Sequence, residues 1–319
     1  MKITILDMDT AALDGDIPLD RLASLGELRV VGETDPARTA ALIGDAQAVI
    51  CNKSRITREV LAQCPALRYV GLMGTGYDQV DLAAAASHGV TVCNVPAYSS
   101  GAVAQHTFAL ILDHFCRISA YAADCATGGW TEKRYFSVFG RETHELAGKT
   151  IGLVGCGGIG RRVAALAQAF DMRVLATVRR PETLADLPGV RCVLLDELLR
   201  SSDVVSIHCP LTEETRGLID GRALSLMQPD ALLVNTARGA IVEEAALAQA
   251  LNEGRVAGAA LDVLTEEPMS PDTPLRGARN LLLTPHIAWA PVETRRRLFD
   301  TVYDNLAAWM DGCPQNTVV

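Results

Sequence analysis

No segment of this 319-residue chain approaches the ~18 uninterrupted apolar residues of a membrane-spanning helix. The N-terminal MKITILDMD lacks the apolar segment of a secretion signal and reads as a first β-strand. The nine cysteines include no C-x-x-C pair and no Cys/His spacing suited to a metal, so they read as reduced thiols, and no metal site is expected. Basic charge is also short: the formal net charge of −9 argues against general affinity for nucleic acid or an anionic membrane. Internal repeats and low-complexity segments are missing too. A soluble cytoplasmic protein of about two domains is the expectation.

What is present is a series of short apolar runs separated by helix-like stretches. In the first hundred residues the runs are KITILD, AQAVICN, LRYVGLM and VTVCN. A second series follows Lys149: TIGLVG, MRVLAT, RCVLL, DVVSIHC, ALLVNTA, AGAALDV and NLLLTPH. Runs that are apolar throughout indicate strands buried on both faces, hence α/β architecture with two doubly wound parallel sheets. Between the series, Val103, Thr107, Phe108, Ile111, Leu112, Phe115 and Ile118 share one face of a helix expected from about Ser100 to Ala123. TGGWTEKRYFSVFGRETHEL reads as a loop region, and Leu298, Val302, Leu306 and Trp309 mark a final helix.

Gly155, Gly157, Gly158, Ile159 and Gly160 belong to GCGGIG, a G-x-G-x-x-G that follows an apolar strand and opens a helix. That context suits a dinucleotide pyrophosphate: glycines permit the turn and the close approach, and the helix N-terminus offers free N–H groups. The next strand should end in a carboxylate for the adenosine ribose of NAD. It reads VLATVRR instead. Arg179 and Arg180 are planar donor forks suited to a 2′-phosphate, which favours NADP with NAD as the other possibility; the competing reading is two solvated surface arginines.

NVPAYSSGAVAQHTFALIL (94–112), GLVGCGGIGRRVA (152–164), SIHCPLTEETRGLI (206–219), LLVNTARGAIVEE (232–244), ALDVLTEEP (260–268) and TPHIAWAPVETRRRL (284–298) together resemble the D-2-hydroxyacid dehydrogenase family. The likeness is greatest to its glycerate dehydrogenase and hydroxypyruvate or glyoxylate reductase members. It implies a flavodoxin-like substrate lobe (1–99, completed by 286–319), a Rossmann cofactor lobe (100–285) with substrate in the cleft, and a homodimer. It also implies reduction of a small 2-keto acid to the D-2-hydroxy acid.

By that resemblance Arg238, otherwise readable as a surface arginine, binds the substrate carboxylate and polarises its carbonyl. His286 is the acid–base and Glu267 its partner. Thr75 and Gly76 present backbone N–H groups to the carboxylate, Lys53 adds positive charge, and Trp289 walls the pocket. Cys209, Pro210, Thr215, Thr236 and Ala237 line the cofactor groove, and Asp262 holds the nicotinamide carboxamide. His88, His106, His114 and His144 read as structural, and His208 receives no chemistry. The missing ribose carboxylate departs from the glycerate dehydrogenase pattern. The chain also shows no C-terminal extension of the kind a regulated phosphoglycerate dehydrogenase would carry. Other readings are a dinucleotide-responsive corepressor-like module, or a dehydrogenase of the same fold for phosphite, formate or a bulkier 2-keto acid.

Overall fold

The computed structural model describes residues 1–13 and 15–319 and divides into two compact units, Met1–Ser99 with Trp289–Val319, and Ser100–Ala288. The first unit holds β1 (Lys2–Ile5), β2 (Glu27–Val30), β3 (Ala48–Cys51), β4 (Tyr69–Leu72) and β5 (Thr91–Cys93), all parallel, in the order β2-β1-β3-β4-β5. Successive residues of β3 feed opposite faces: Val49 and Cys51 join Leu61, Val70 and Val92, whereas Ala48 and Ile50 join Ile3, Tyr69 and Leu298. Helix Val292–Met310 covers the second face with Leu298, Phe299, Val302 and Leu306. The residues beyond it run antiparallel beside β5, where Val318 N–H donates to Val92 O and Val92 N–H to Val319 O.

The second unit is a seven-stranded parallel sheet: β6 (Thr150–Val154), β7 (Arg173–Thr177), β8 (Val190–Cys192), β9 (Val204–Ile207), β10 (Leu232–Asn235), β11 (Gly258–Leu261) and β12 (Leu281–Leu283). The spatial order is β12-β11-β10-β9-β6-β7-β8, so the winding reverses between β6 and β9. In open α/β sheets ligands bind outside the carboxyl ends of the strands at such a switch point. Every residue of β6, β9, β10 and β11 is buried, which is why these strands read as uninterrupted apolar runs.

Two elements differ from the sequence-based expectation. Strand β2 was not anticipated: ELRV alternates charge with aliphatics at a sheet edge, and no residue of it is fully buried. The helix expected from Ser100 to Ala123 is two helices, Ser100–Cys116 and Ile118–Ala126, because Arg117 adopts a left-handed conformation (φ 55°). The Asp113 carboxylate accepts both Ser119 N–H (2.8 Å) and its hydroxyl (2.7 Å), holding the break. Ile118, expected on the buried face, is exposed, as are Trp130, Tyr135, Phe136 and Phe139 in the loop region that follows. Among the described residues no helix is long and apolar enough to cross a membrane, and no cluster of three His, Cys, Asp or Glu side chains is placed to hold a metal.

Candidate active site

In the larger unit the site is built at strand ends. Gly155, after β6, has φ +92°, and a side chain on it would collide with the backbone of His208 and Cys209 after β9. Only glycine lets the two strand ends meet there. A Cβ on Gly160 would press on Gly155 O, so the helix Gly158–Ala169 starts tight against its own turn. Gly157 opens onto free space, with nothing within 4 Å of a Cβ built there, and Ile159 packs against the core. The first N–H groups of that helix have no intrahelical acceptor. A tight turn, an open second glycine and free amides fit a dinucleotide pyrophosphate.

Beside it, β7 ends at Thr177, which accepts Gly155 N–H (3.0 Å), followed by Val178 and the exposed Arg179 and Arg180. Arg161 of the glycine-rich helix is bonded to Asp186 and to Thr183 O. Glu214 feels the charge of Arg179. Its carboxyl lies below the usual range, first because of the Thr212 hydroxyl and more weakly because of Arg179. After β9, Pro210 O accepts the Thr215 hydroxyl (2.7 Å), and that hydroxyl accepts Thr212 N–H (2.7 Å), fixing the 210–215 loop. Burial raises the Cys209 thiol and lowers His208 to about 4, so this histidine is neutral at physiological pH and bonds Ser206 (2.9 Å).

The ends of β10, β11 and β12 form one continuous row. Asp262 N–H donates to Asn235 O (2.9 Å), and His286 N–H donates to Asp262 O (2.8 Å). Asn235, 1% exposed, shapes the turn beyond: its side-chain oxygen accepts Ala237 N–H (3.0 Å) and its amide donates to Arg238 O (2.9 Å). Thr236 is buried against Thr107, whereas the Arg238 side chain reaches solvent and donates to Ala237 O. A side chain on Gly239 would overlap the backbone of Leu264 and Thr265. That glycine brings the Arg238 turn against the loop leading to Glu267.

Glu267 Oε1 accepts Leu264 N–H (3.1 Å), and Oε2 lies 2.6 Å from His286 Nδ1. Nδ1 is thereby committed to the carboxylate, leaving Nε2 as the ring nitrogen open to a further partner. His286 occupies the left-handed region (φ 55°), a conformation costing a non-glycine residue about 1–3 kcal/mol, which surrounding bonds must offset. Several of those bonds end on Asp262, itself 1% exposed: Ile287 N–H (2.9 Å), Ala288 N–H (2.8 Å) and the Thr284 hydroxyl (2.6 Å).

The remaining sequence candidates belong to the smaller unit. Lys53 follows β3, its backbone N–H held by the buried Asp7 carboxylate (3.0 Å) and its side chain exposed. Thr75 follows β4; its hydroxyl donates to Val95 O (2.8 Å) and its carbonyl accepts the Asn94 amide (2.8 Å). Among the described residues, the N–H groups of Thr75 and Gly76 have no hydrogen-bond partner. Trp289 packs edge-on to Tyr98, with centroids 6.5 Å apart. Asp7, Asn235, Gly239, His106 and Thr284 were not singled out as functional from the sequence. The one local signal was a glycine directly after Arg238.

Residues 108–288 match the family described as D-isomer specific 2-hydroxyacid dehydrogenase, NAD binding domain. The chain is 38% identical to a hydroxypyruvate reductase of Blautia hydrogenotrophica over 100% of its own length and 99% of that protein. It is 42% identical to a glyoxylate reductase of Aeropyrum pernix, over 83% of this chain and 80% of that one. Among solved structures, an acyclic imino acid reductase in complex with NADPH and D-Arg superposes with a TM-score of 0.87 at 30% identity, covering all of both chains. With its glycine-rich turn and seven-stranded parallel sheet, the chain belongs to the D-isomer specific 2-hydroxyacid dehydrogenase family of NAD(P)-dependent oxidoreductases.

Proposed function

We propose that the chain reduces a small 2-keto acid of the hydroxypyruvate or glyoxylate type to its D-2-hydroxy acid, with NADPH preferred over NADH. The observation that carries this reading is the 2.6 Å pair of His286 Nδ1 and Glu267 Oε2, held in one backbone row with Asp262 and Asn235, three residues before Arg238. The names of the relatives, hydroxypyruvate reductase and glyoxylate reductase, support the substrate class.

Each residue then has a defined task. The Arg238 guanidinium takes the substrate carboxylate and draws electron density toward the carbonyl oxygen. In the smaller unit, the N–H groups of Thr75 and Gly76, the Lys53 charge and the Trp289 ring are proposed as further substrate-binding groups. The glycines from Gly155 to Gly160 hold the pyrophosphate, and Cys209, Pro210, Thr215, Thr236, Ala237 and Asp262 flank the rest of the cofactor. When bound, the reduced nicotinamide supplies a hydride to the carbonyl carbon. His286, protonated on both nitrogens, gives its Nε2 proton to the oxygen and keeps Nδ1 on Glu267. The His286 side chain is 29% exposed, so solvent can restore the proton.

NADPH preference is supported by Arg179 and Arg180, which stand exposed where a ribose-binding carboxylate would reject a 2′-phosphate. kcat/KM for NADPH should exceed that for NADH by tenfold or more at saturating hydroxypyruvate, about 1.4 kcal/mol of differential transition-state binding. Equal values would make the arginines bystanders. No turnover of hydroxypyruvate or glyoxylate with either cofactor would overturn the substrate class.

A homodimer is proposed on a separate observation. Helix Ile118–Ala126 buries none of its residues, and Trp130, Tyr135, Phe136 and Phe139 are 52–93% exposed beside it in sequence. Such an apolar surface suits cover by a second copy. Light scattering should give twice 34.0 kDa, and Phe136→Ser with Phe139→Ser should restore the single mass; a monomeric parent protein would refute the arrangement.

A further inference from the structure

His106 read as a structural histidine, but its surroundings give it a place in the chemistry. It projects from helix Ser100–Cys116 with Nε2 3.1 Å from Thr284 Oγ1 and 3.5 Å from Asp262 Oδ1. Burial pushes the Asp262 carboxyl up, but hydrogen bonds from His106, Thr284, Ala288 and Ile287 together bring it below the usual value. Asp262 is therefore an anion at neutral pH and can only accept. Thr284 must donate its single hydroxyl proton to Asp262, at 2.6 Å, which leaves the Thr284 oxygen to accept from His106. The order is fixed: His106 Nε2–H to Thr284 Oγ1–H to Asp262.

The same carboxylate accepts Ile287 N–H and Ala288 N–H, and the Asp262 carbonyl accepts His286 N–H. Thr284 lies two residues before His286, and Ile287 and Ala288 lie directly after it. The segment bearing the left-handed His286 is thus held on both sides by one buried anion. Its other donors are two backbone amides and a hydroxyl, all neutral. His106, 19% exposed in its side chain, adds a ring N–H beside the same hydroxyl and carboxylate. A buried carboxylate is costly to keep in place unless its donors are supplied.

We propose that His106 is a positioning residue for the acid–base: through Thr284 and Asp262 it fixes the 284–288 segment so that His286 stays seated on Glu267 with Nε2 aimed outward. This rests on the reading of His286 as the proton donor. The role is expected in turnover, because the side-chain bonds of His106 go to the supports of His286 and not to the glycine-rich turn.

The test is steady-state reduction of hydroxypyruvate with saturating NADPH by His106→Leu, His106→Gln, Thr284→Val and His286→Ala, with NADPH affinity followed by tryptophan fluorescence. His106→Leu should lower kcat at least fivefold while KM and NADPH affinity stay within about twofold. Thr284→Val, nearly the same volume without the hydroxyl, should lose a similar amount. His106→Gln places an N–H donor at the reach of Nε2 and should return kcat to within about twofold of the parent protein. A parent-like kcat in His106→Leu, equal losses in His106→Leu and His106→Gln, or a matching rise in KM would overturn the proposal. If His286→Ala keeps full activity, the acid–base reading itself fails. Loss there beside a normal His106→Leu removes only the present inference.

Discussion

At the ends of β6 and β7 the chain presents glycines, backbone amides and two arginines that reach into solvent. At the ends of β10, β11 and β12 it presents side chains whose loops are tied to buried neighbours: Asn235 under Arg238, and Asp262 under His286. Both flanks belong to one sheet and one unit, yet their construction differs with their tasks. Phosphate binding needs room and oriented backbone dipoles, which a glycine turn provides without side-chain help. Proton transfer needs two heteroatoms placed to within fractions of an ångström, which takes supporting bonds around each one. If the proposed roles hold, Arg179 and Arg180 can be exchanged with little cost to the fold, whereas the supports around His286 cannot.

The acid–base flank should break hardest. His286→Ala removes the donor and should lower kcat for keto-acid reduction by about 10²–10⁴-fold, with NADPH affinity nearly unchanged. Glu267→Gln keeps the shape but not the charge and should cost an intermediate factor; a variant as active as the parent in either case would place the proton source elsewhere. The loosely held flank should respond least. Replacing Arg179 and Arg180 together by alanine should lower kcat/KM for NADPH about tenfold, about 1.4 kcal/mol, while NADH changes by less than about twofold. Thermal melting of the double variant should match the parent, since neither arginine makes a side-chain hydrogen bond among the described residues. A fall in melting temperature would show that this flank is held as firmly as the other.

Much of this was legible before any coordinates. The seven apolar runs after Lys149 became the seven strands of one sheet, because strands covered on both faces leave no room for polar alternation. Strand β2 escaped notice for the opposite reason: at an edge, Glu27 and Arg29 face water and the segment looks like a loop. The break at Arg117 was hidden because the residues flanking it are all acceptable in a helix; what enforces it is Asp113 reaching six residues forward to Ser119. In the candidate site, residues carried by local motifs are readable from the sequence as candidates. Their supports are not. Gly239 matters only because the backbone of Leu264 passes beside it, and the role proposed for His106 depends on the hydroxyl oxygen of Thr284, 178 residues away. A lone histidine on a largely apolar helix gives no sign of such a neighbour.

The return of the chain to its first sheet carries a consequence for biosynthesis. One face of that sheet is roofed by Leu298, Phe299, Val302 and Leu306, and β5 has residues 316–319 along its outer edge. A ribosome delivers both only after all of Ser100–Ala288 has been made. The nascent first unit must wait with the face bearing Ile3, Ile5 and Ile50 only partly covered and a strand edge open, the condition in which chains associate wrongly. The intervening unit, continuous in sequence, can close while the first still waits. Once folded, it holds Ser100 and Ala288 at fixed points and shortens the search by which the last helix finds its place.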